Sequence, residues 1–158
     1  MLRTRLASVL LLSLGAPIQA SLAQTAAPPA VRAQIQALMR KYADTGNRTD
    51  AEAMMQLYSR SPGVIDVEDG EIHHGWDDIR SAVSAIVGKV GVFNISLGAI
   101  EVFTLGPGAA YAVAPYMVHV STDKGPAEVH GAMTFIFQRA GTSWSIIHTH
   151  ASTKVDAQ

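Results

Sequence analysis

The sequence predicts an α+β domain in which three N-terminal helices cover one face of an antiparallel sheet. Apolar residues recur at helical spacing in the first half of the chain, and strand-like segments separated by turn residues fill the second half. Because the helical and strand patterns are segregated rather than alternating, the strands are expected to pair antiparallel. A length of 158 residues suits one domain with a single core.

The composition is that of a globular protein with little net charge. Hydrophobic residues make up 48% of the chain and charged residues 16%, which excludes a disordered protein. The 12 Lys and Arg residues against 13 Asp and Glu residues give a net charge of −1. No basic field is therefore available to hold a phosphate backbone, and nucleic acid is not an expected partner.

The first 23 residues have the three parts of a signal peptide. Arg3 and Arg5 precede an apolar run at residues 6–14, and small residues follow up to Ala23. The run is shorter than the ~20 residues that a membrane-spanning helix needs, which leaves an uncleaved anchor as the weaker alternative. Cleavage after Ala23 predicts a periplasmic or secreted protein that is free of the membrane. The chain has no cysteine, so this exported domain is expected to use no disulfides.

The rest of the chain is predicted to contain a linker and one domain. Residues 24–30 include two prolines and predict a short linker, and residues 31–155 predict the folded domain. Helical spacing of apolar residues extends over residues 31–45. A capping-box pattern at residues 49–52 opens a second helix, and a third helix follows Gly75.

Turn residues delimit the predicted strands. Asp69-Gly70 is a pair that two-residue hairpin turns favour, and it predicts a short hairpin at residues 64–75. Four longer strands are predicted after the third helix, with glycine-containing turns between them, at residues 92–105, 110–122, 127–139 and 143–154.

Three segments of the chain resemble the SnoaL-like group of the nuclear-transport-factor-2-like superfamily, which includes ketosteroid isomerases and polyketide cyclases. They are VIDVEDG at residues 64–70, GWDDI at 75–79 and GTSWSIIHTHAS at 141–152. The resemblance extends over nearly all of residues 31–154. It implies a cone-shaped domain in which a curved sheet wraps around the helices, with an internal pocket and usually a homodimer. The superfamily contains enzymes, binding proteins and assembly domains, so the fold does not choose among these functions.

The turns also predict a strand register, and the register decides which side chains share a face of the sheet. With a turn at residues 107–108, Glu101 opposes Ala114; with a turn at 140–141, His148 opposes Met133. A single bulge would shift part of this register by one residue. On this register one face is largely apolar and carries a few polar groups, which are Glu101, Tyr116, Trp144, His148 and His150.

An apolar wall with a few inward polar groups is typical of a small-molecule pocket. Burial of a carboxyl group raises its pKa toward the range that is useful in general acid–base catalysis. Glu101 is therefore the first catalytic candidate, with Tyr116 as a donor to a developing oxyanion and His148 as a proton shuttle. The expected ligand-binding residues are Tyr58, Trp76, Met133, Phe135, Trp144 and His150.

Several of these residues also have a structural interpretation. Inward histidines are equally consistent with satisfied hydrogen bonds in the core, and Glu101 with a position at the rim or an ion pair to an arginine. Two histidines on one strand face suggest a metal, but no third ligand is expected nearby, so neither a metal nor a cofactor is predicted. Asp66 and His73 oppose each other in the predicted hairpin. They form either an acid–base pair at the pocket mouth or, as we favour, an exposed ion pair.

Taken together, these features predict an exported domain that binds a small, largely apolar molecule. As an enzyme it would be a cofactor-independent isomerase, lyase or cyclase acting next to a carbonyl group. The alternative is a non-catalytic ligand-binding or dimerisation module of the same fold. The sequence has no Gly-rich phosphate loop and no nucleophile motif, so nucleotide-dependent and nucleophilic chemistry lack support. A homodimer is expected to form on the outer sheet face, through apolar residues such as Tyr111, Met117 and Ile136.

Overall fold

A computed structural model describes residues 25–89, 93–122 and 125–154. The predicted signal peptide at residues 1–23 lies outside the described residues. The described elements form an α+β fold with its helices in the N-terminal half, as predicted. They follow in the order β1 (Thr25–Ala26), α1 (Pro29–Asn47), α2 (Ala51–Met55), β2 (Ile65–Glu68), β3 (Glu71–His74), α3 (Gly75–Lys89), β4 (Phe93–Leu97), β5 (Glu101–Gly106), β6 (Ala109–Thr122), β7 (Gly125–Ala140) and β8 (Ser143–Thr153).

Within the described residues, the strands form one sheet. They lie in the order β1-β5-β6-β7-β8-β2-β3, and β4 also pairs with β6. The pairs are antiparallel, except that β2 runs parallel to β8. This parallel pair places the acidic strand β2 beside the second half of β8, at the point where the candidate site is found.

The core lies between the helices and the inner face of the sheet. Helix α1 contributes Ile35 and Met39, and α3 contributes Ile79, all of them fully buried. From the sheet, β6 supplies small residues and β7 large aromatic ones, which are Ala110, Ala112, Ala114, Phe135 and Phe137. The ring of Tyr42 on α1 meets that of Phe135 edge-on, with ring centroids 5.1 Å apart.

Helix α2 and the predicted linker differ from the expectation. Asp50 rather than Thr49 caps α2, because the Asp50 carboxylate accepts a hydrogen bond from the Ala53 N–H at 2.9 Å. The prediction of a linker at residues 24–30 is wrong for residues 25–30. Strand β1 pairs with β5, Ala27 is 1% exposed, and α1 already begins at Pro29. A proline in the first turn of a helix needs no hydrogen-bond donor, which is why Pro29 opens α1.

The hairpin of β2 and β3 is confirmed with its register. Asp69 and Gly70 form the turn with φ of 46° and 94°, the left-handed conformation that this pair adopts readily. Asp66 opposes His73 and Ile65 opposes His74, as predicted. Among the described helices, none is both long and apolar enough to cross a membrane.

A bulge in β5 overturns the predicted position of Glu101. The turn at residues 107–108 is as expected, with Gly106 opposite Ala109. Thr104 then pairs with Ala110, so Leu105 is an extra residue in β5. Glu101 consequently opposes Val113 and is exposed on the outer face, whereas Val102 is buried in its place. The prediction that Glu101 faces the pocket is therefore wrong.

A second bulge, in β8, overturns the predicted positions of His148 and His150. Ile136 pairs with His148 but Phe137 pairs with Ile146, so Ile147 is an extra residue in β8. The bulge reverses the faces beyond it. Thr149 is buried on the inner face, and its two histidine neighbours alternate with it. The exposed His150 nevertheless borders the space between the sheet and the helices.

Candidate functional site

A cavity of about 380 Å³ lies between the helices and the inner face of the sheet. Its wall is largely apolar, with Val83, Ile86 and Val87 from α3 facing Ile95, Val118 and Met133 from the sheet. Its polar residues come from few elements and are Tyr42, Asp66, Glu68, Asp69, Tyr116 and Thr149, with His150 and Thr153. This combination of an apolar wall and a few convergent polar groups is typical of a small-molecule site.

Strand β2 supplies two carboxylates to the cavity. Side chains alternate between the faces of a strand, so Asp66 and Glu68 share the inner face. The parallel register sets Asp66 beside Thr149 and Glu68 beside Ala151 on β8. The Asp66 side chain is buried and that of Glu68 is half-buried. Two carboxyl groups therefore face the same apolar space from neighbouring positions.

A chain of hydroxyl groups leads to Asp66. The Thr149 hydroxyl donates a hydrogen bond to Asp66 Oδ1, and the Tyr58 hydroxyl lies 3.2 Å from Thr149 Oγ1. Because Thr149 has only one hydroxyl hydrogen, Tyr58 donates to Thr149 when Asp66 is ionised. The ring of Tyr42 packs beside that of Tyr58, with ring centroids 6.4 Å apart. These hydroxyl groups hold Oδ1 of Asp66 from the side away from the cavity.

Burial raises the pKa of both carboxyl groups on β2. For Asp66, desolvation raises the pKa, while the Thr149 hydrogen bond and His73, His148 and His150 partly oppose the rise. For Glu68, desolvation is again the largest cause, and the negative charges of Asp66 and Asp69 add to it. Desolvation also raises the pKa of Tyr42 and of Tyr58, so both phenols stay protonated donors.

Asp69 ties the hairpin turn to the end of β8. Its carboxylate accepts hydrogen bonds from the Thr153 N–H and the Thr153 hydroxyl, both at 2.7 Å. The Tyr116 hydroxyl lies 3.5 Å from Thr153 Oγ1 at the same end of the cavity. These contacts hold the acidic hairpin against the sheet and leave Tyr116 with one long hydrogen bond.

The three residues predicted to be catalytic are not brought together. Glu101 is exposed on the outer face, and His148 is half-buried on the side of β8 opposite to Thr149. Tyr116 alone lies on the inner face and borders the cavity. The expected exposed ion pair of Asp66 with His73 is also absent from the described contacts. His73 instead lies 3.7 Å from Asp78 and 3.9 Å from Glu71, while Asp66 is buried.

The predicted ligand-binding residues divide into two groups. Met133, Phe135 and the exposed His150 border the cavity. Tyr58, Trp76 and Trp144 are not among its described lining residues. Tyr58 acts behind the wall through Thr149. The indole of Trp76 donates to the Met55 carbonyl, and that of Trp144 donates to the Gln34 side chain.

The sequence held a pattern that points to the site. In IDVE, at residues 65–68, the two acids alternate with Ile65 and Val67, which gives one acidic face to a strand with a period of two. The pattern does not identify the strand that pairs with β2. That strand is β8, and the pairing joins segments about 80 residues apart, as for Asp66 with Thr149. In the part of the chain that the structure describes, no cluster of three or more His, Cys, Asp or Glu residues is arranged to hold a metal.

Comparison with known proteins agrees with the fold. Residues 35–156 match the model of the SnoaL-like domain family. The comparison with proteins of curated function found no match.

Several solved structures share the fold. A nuclear transport factor 2 superfamily protein from Salmonella enterica has a TM-score of 0.75 and 19% identity, over 84% of this chain and 96% of that one. A candidate dehydratase of the same family from Streptomyces avermitilis has a TM-score of 0.72 and 15% identity, over 81% and 99%. A candidate scytalone dehydratase from Novosphingobium aromaticivorans has a TM-score of 0.72 and 10% identity, over 80% and 85%. The chain belongs to the SnoaL-like family and has the nuclear-transport-factor-2-like fold.

Proposed function

We propose that the protein binds a small, largely apolar molecule in the cavity and performs cofactor-independent acid–base chemistry on it, with Asp66 as the general base. The observation that carries the proposal is a buried carboxylate, held by a hydroxyl chain, at the wall of an apolar cavity of about 380 Å³. Two structural neighbours are candidate dehydratases, which agrees with a lyase or isomerase reaction next to a carbonyl group.

The surroundings of Asp66 suit a general base. Burial raises its pKa and so increases its basicity toward a substrate C–H bond. The Thr149 hydrogen bond holds Oδ1, and no described residue donates to Oδ2, which leaves that oxygen for a substrate proton. Tyr116 borders the same cavity and donates a long hydrogen bond to Thr153, whose own hydroxyl hydrogen goes to Asp69. The Tyr116 hydroxyl can turn from this long contact to donate to an oxyanion that forms as the proton leaves.

Exchange of α-protons tests this proposal without knowledge of the natural substrate. A general base in the cavity should catalyse the loss of the α-proton NMR signal of an apolar ketone such as 2-tetralone in D₂O. Asp66→Asn should slow the exchange by roughly 10² or more, the usual contribution of a general base. Asp77→Asn is the matched control, because Asp77 is exposed in the first turn of α3. Equal exchange rates for the wild type and Asp66→Asn would overturn the assignment of Asp66.

A non-catalytic binding module is the second candidate. The hydrogen bond from Thr149 and the burial of Asp66 are also what a structural carboxylate would show. In that case 2-tetralone should bind, with perturbed side-chain signals around Met133, while its α-protons exchange no faster than in buffer.

The proposed location is the periplasm or the exterior of the cell. The order of charged, apolar and small residues before Ala23 supports it. The intact mass of the protein from an export fraction should correspond to a chain that begins at Gln24. A mass that includes residues 1–23 would contradict cleavage.

The proposed assembly is a homodimer that buries the outer sheet face. This face carries the stacked rings of Phe103 and Tyr111, with centroids 5.0 Å apart, and the half-buried side chains of Val113, Met117 and Ile136. Apolar and aromatic residues are typical of the centre of such an interface. Sedimentation at micromolar concentration and neutral pH should give a dimer, and a monomer would contradict the proposal.

A further inference from the structure

The charge around the cavity is one-sided. Three acidic residues border it, Asp66, Glu68 and Asp69, whereas its described lining includes no lysine or arginine. All three acids come from β2 and the turn that follows it. The remainder of the wall is mostly apolar, so these charges are poorly screened within the cavity.

Glu68 is the one of these three acids whose carboxylate has no hydrogen-bond partner among the described residues. The Asp66 carboxylate accepts from Thr149, and that of Asp69 accepts twice from Thr153. No hydrogen bond or ion pair joins the half-buried Glu68 side chain to another described residue, although it borders the cavity. Partial burial of a carboxylate without a hydrogen-bond partner has a desolvation cost, and a cation bound beside Glu68 would offset it.

We infer that the cavity selects small apolar molecules that carry one protonated amine, with Glu68 as the carboxylate that binds the ammonium group. This inference rests on the proposed function in the same cavity and names its ligand class. Glu68 and Asp66 are two residues apart on one strand face, a spacing of about 7 Å. The ammonium group and the carbon that Asp66 deprotonates would therefore be held by neighbouring carboxylates of the same wall. A carboxylate ligand of equal size meets three acids, and the one basic side chain in the described lining is that of the exposed His150, so such a ligand should bind more weakly.

A matched series of probes tests the selection by charge. The probes are 1-naphthylmethylamine, 1-naphthalenemethanol and 1-naphthoate, which share a ring system and differ in charge. Their affinities for the purified protein are measured by isothermal titration calorimetry at neutral pH. We expect the amine to bind about 10-fold or more tightly than the alcohol, and the carboxylate to bind more weakly than both.

Two variants locate the charge that is responsible. Glu68→Gln should weaken amine binding about 10-fold and leave alcohol binding unchanged. Glu71→Gln is the matched control, because Glu71 opposes Glu68 across the hairpin but its side chain is 84% exposed and does not border the described cavity. It should change neither affinity. Thermal melts of both variants check that they fold. The comparison of the three probes on the wild-type protein tests the inference even if a variant does not fold.

The outcomes separate the inference from the proposed function. Equal affinity of the wild type for the amine and the alcohol overturns the inference and leaves the apolar cavity in place. Loss of both affinities in Glu68→Gln, in a folded variant, assigns Glu68 to packing rather than to charge recognition and also overturns it. Binding of none of the three probes overturns both the ligand cavity and the inference.

Discussion

The hydroxyl of Thr149 links two buried partners, so its removal should be costly. Thr149 is 4% exposed, and the change Thr149→Val keeps its shape while it deletes the group that donates to Asp66 and accepts from Tyr58. A hydrogen bond to a charged group contributes about 1.5–3 kcal/mol, and one between neutral groups about 1 kcal/mol. The expected loss in the free energy of unfolding is therefore about 3 kcal/mol at neutral pH.

The size of this loss should depend on pH. The Thr149 hydrogen bond lowers the pKa of Asp66, against the rise that burial causes, because it stabilises the ionised carboxylate. Its contribution is present above the folded-state pKa of Asp66 and is lost as the pH falls through that value and the carboxyl is protonated. Thr149→Val should therefore destabilise the protein more at neutral pH than in acid.

Urea unfolding followed by circular dichroism measures the effect. The matched control is Thr153→Val, which deletes a hydroxyl donor to the exposed Asp69 but keeps the backbone donor. It should cost less than about 1 kcal/mol. A change below about 0.5 kcal/mol for Thr149→Val, or an effect that grows in acid, would refute the role of Thr149 as the anchor of an ionised Asp66.

Three further substitutions test the fold around the site. Gly131→Ala should lower the free energy of unfolding by about 2 kcal/mol or more, since the added Cβ would overlap the Ser152 carbonyl oxygen and approach the Tyr116 ring; an unchanged melting temperature would contradict this. Glu101→Gln should change stability by less than about 0.5 kcal/mol and leave 2-tetralone binding unaltered, because Glu101 is exposed; a loss of binding would restore it to the pocket. Asn47→Ala should cost about 2 kcal/mol in urea unfolding, because the Asn47 side chain both donates to and accepts from the backbone of Ile95, at 3.0 and 2.6 Å; a loss below about 0.5 kcal/mol would dismiss this link between α1 and β4.

The class of fold could be predicted because periodicity and turn chemistry are local properties. Asp69-Gly70 specified its own turn and register, and residues 107–108 specified theirs. The turn predicted at residues 140–141 lies one residue later, because Ala140 pairs with Ser143. The other errors arose further along the strands. Leu105 and Ile147 are each accommodated as a bulge, and one extra residue reverses every side chain beyond it. Both bulges depend on the fit of a strand to its neighbours, which local sequence patterns do not reveal.

The candidate site could be predicted only in part, since it depends on a long-range pairing. Tyr116, Met133 and Phe135 border the cavity because β6 and β7 kept the predicted faces. Asp66 was identified as a member of the hairpin, but its burial follows from the parallel contact of β2 with β8. Because of the bulge at Ile147, Thr149 lies on the inner face where His148 and His150 were predicted. When acids alternate with aliphatic residues in a short strand, pairing of that strand with each apolar strand of the sheet should be considered before the acids are assigned to the surface.

The central claim is that the cavity holds a desolvated carboxyl group, and a direct titration of Asp66 tests it. Carboxyl carbon chemical shifts in ¹³C-labelled protein, assigned by comparison with Asp66→Asn, report the pKa of this group. We expect a pKa above the ordinary 3.8, because burial is the largest influence on the Asp66 carboxyl group. A pKa at or below 3.8 would mean that Asp66 is solvated or fully compensated, and it would contradict the proposed base.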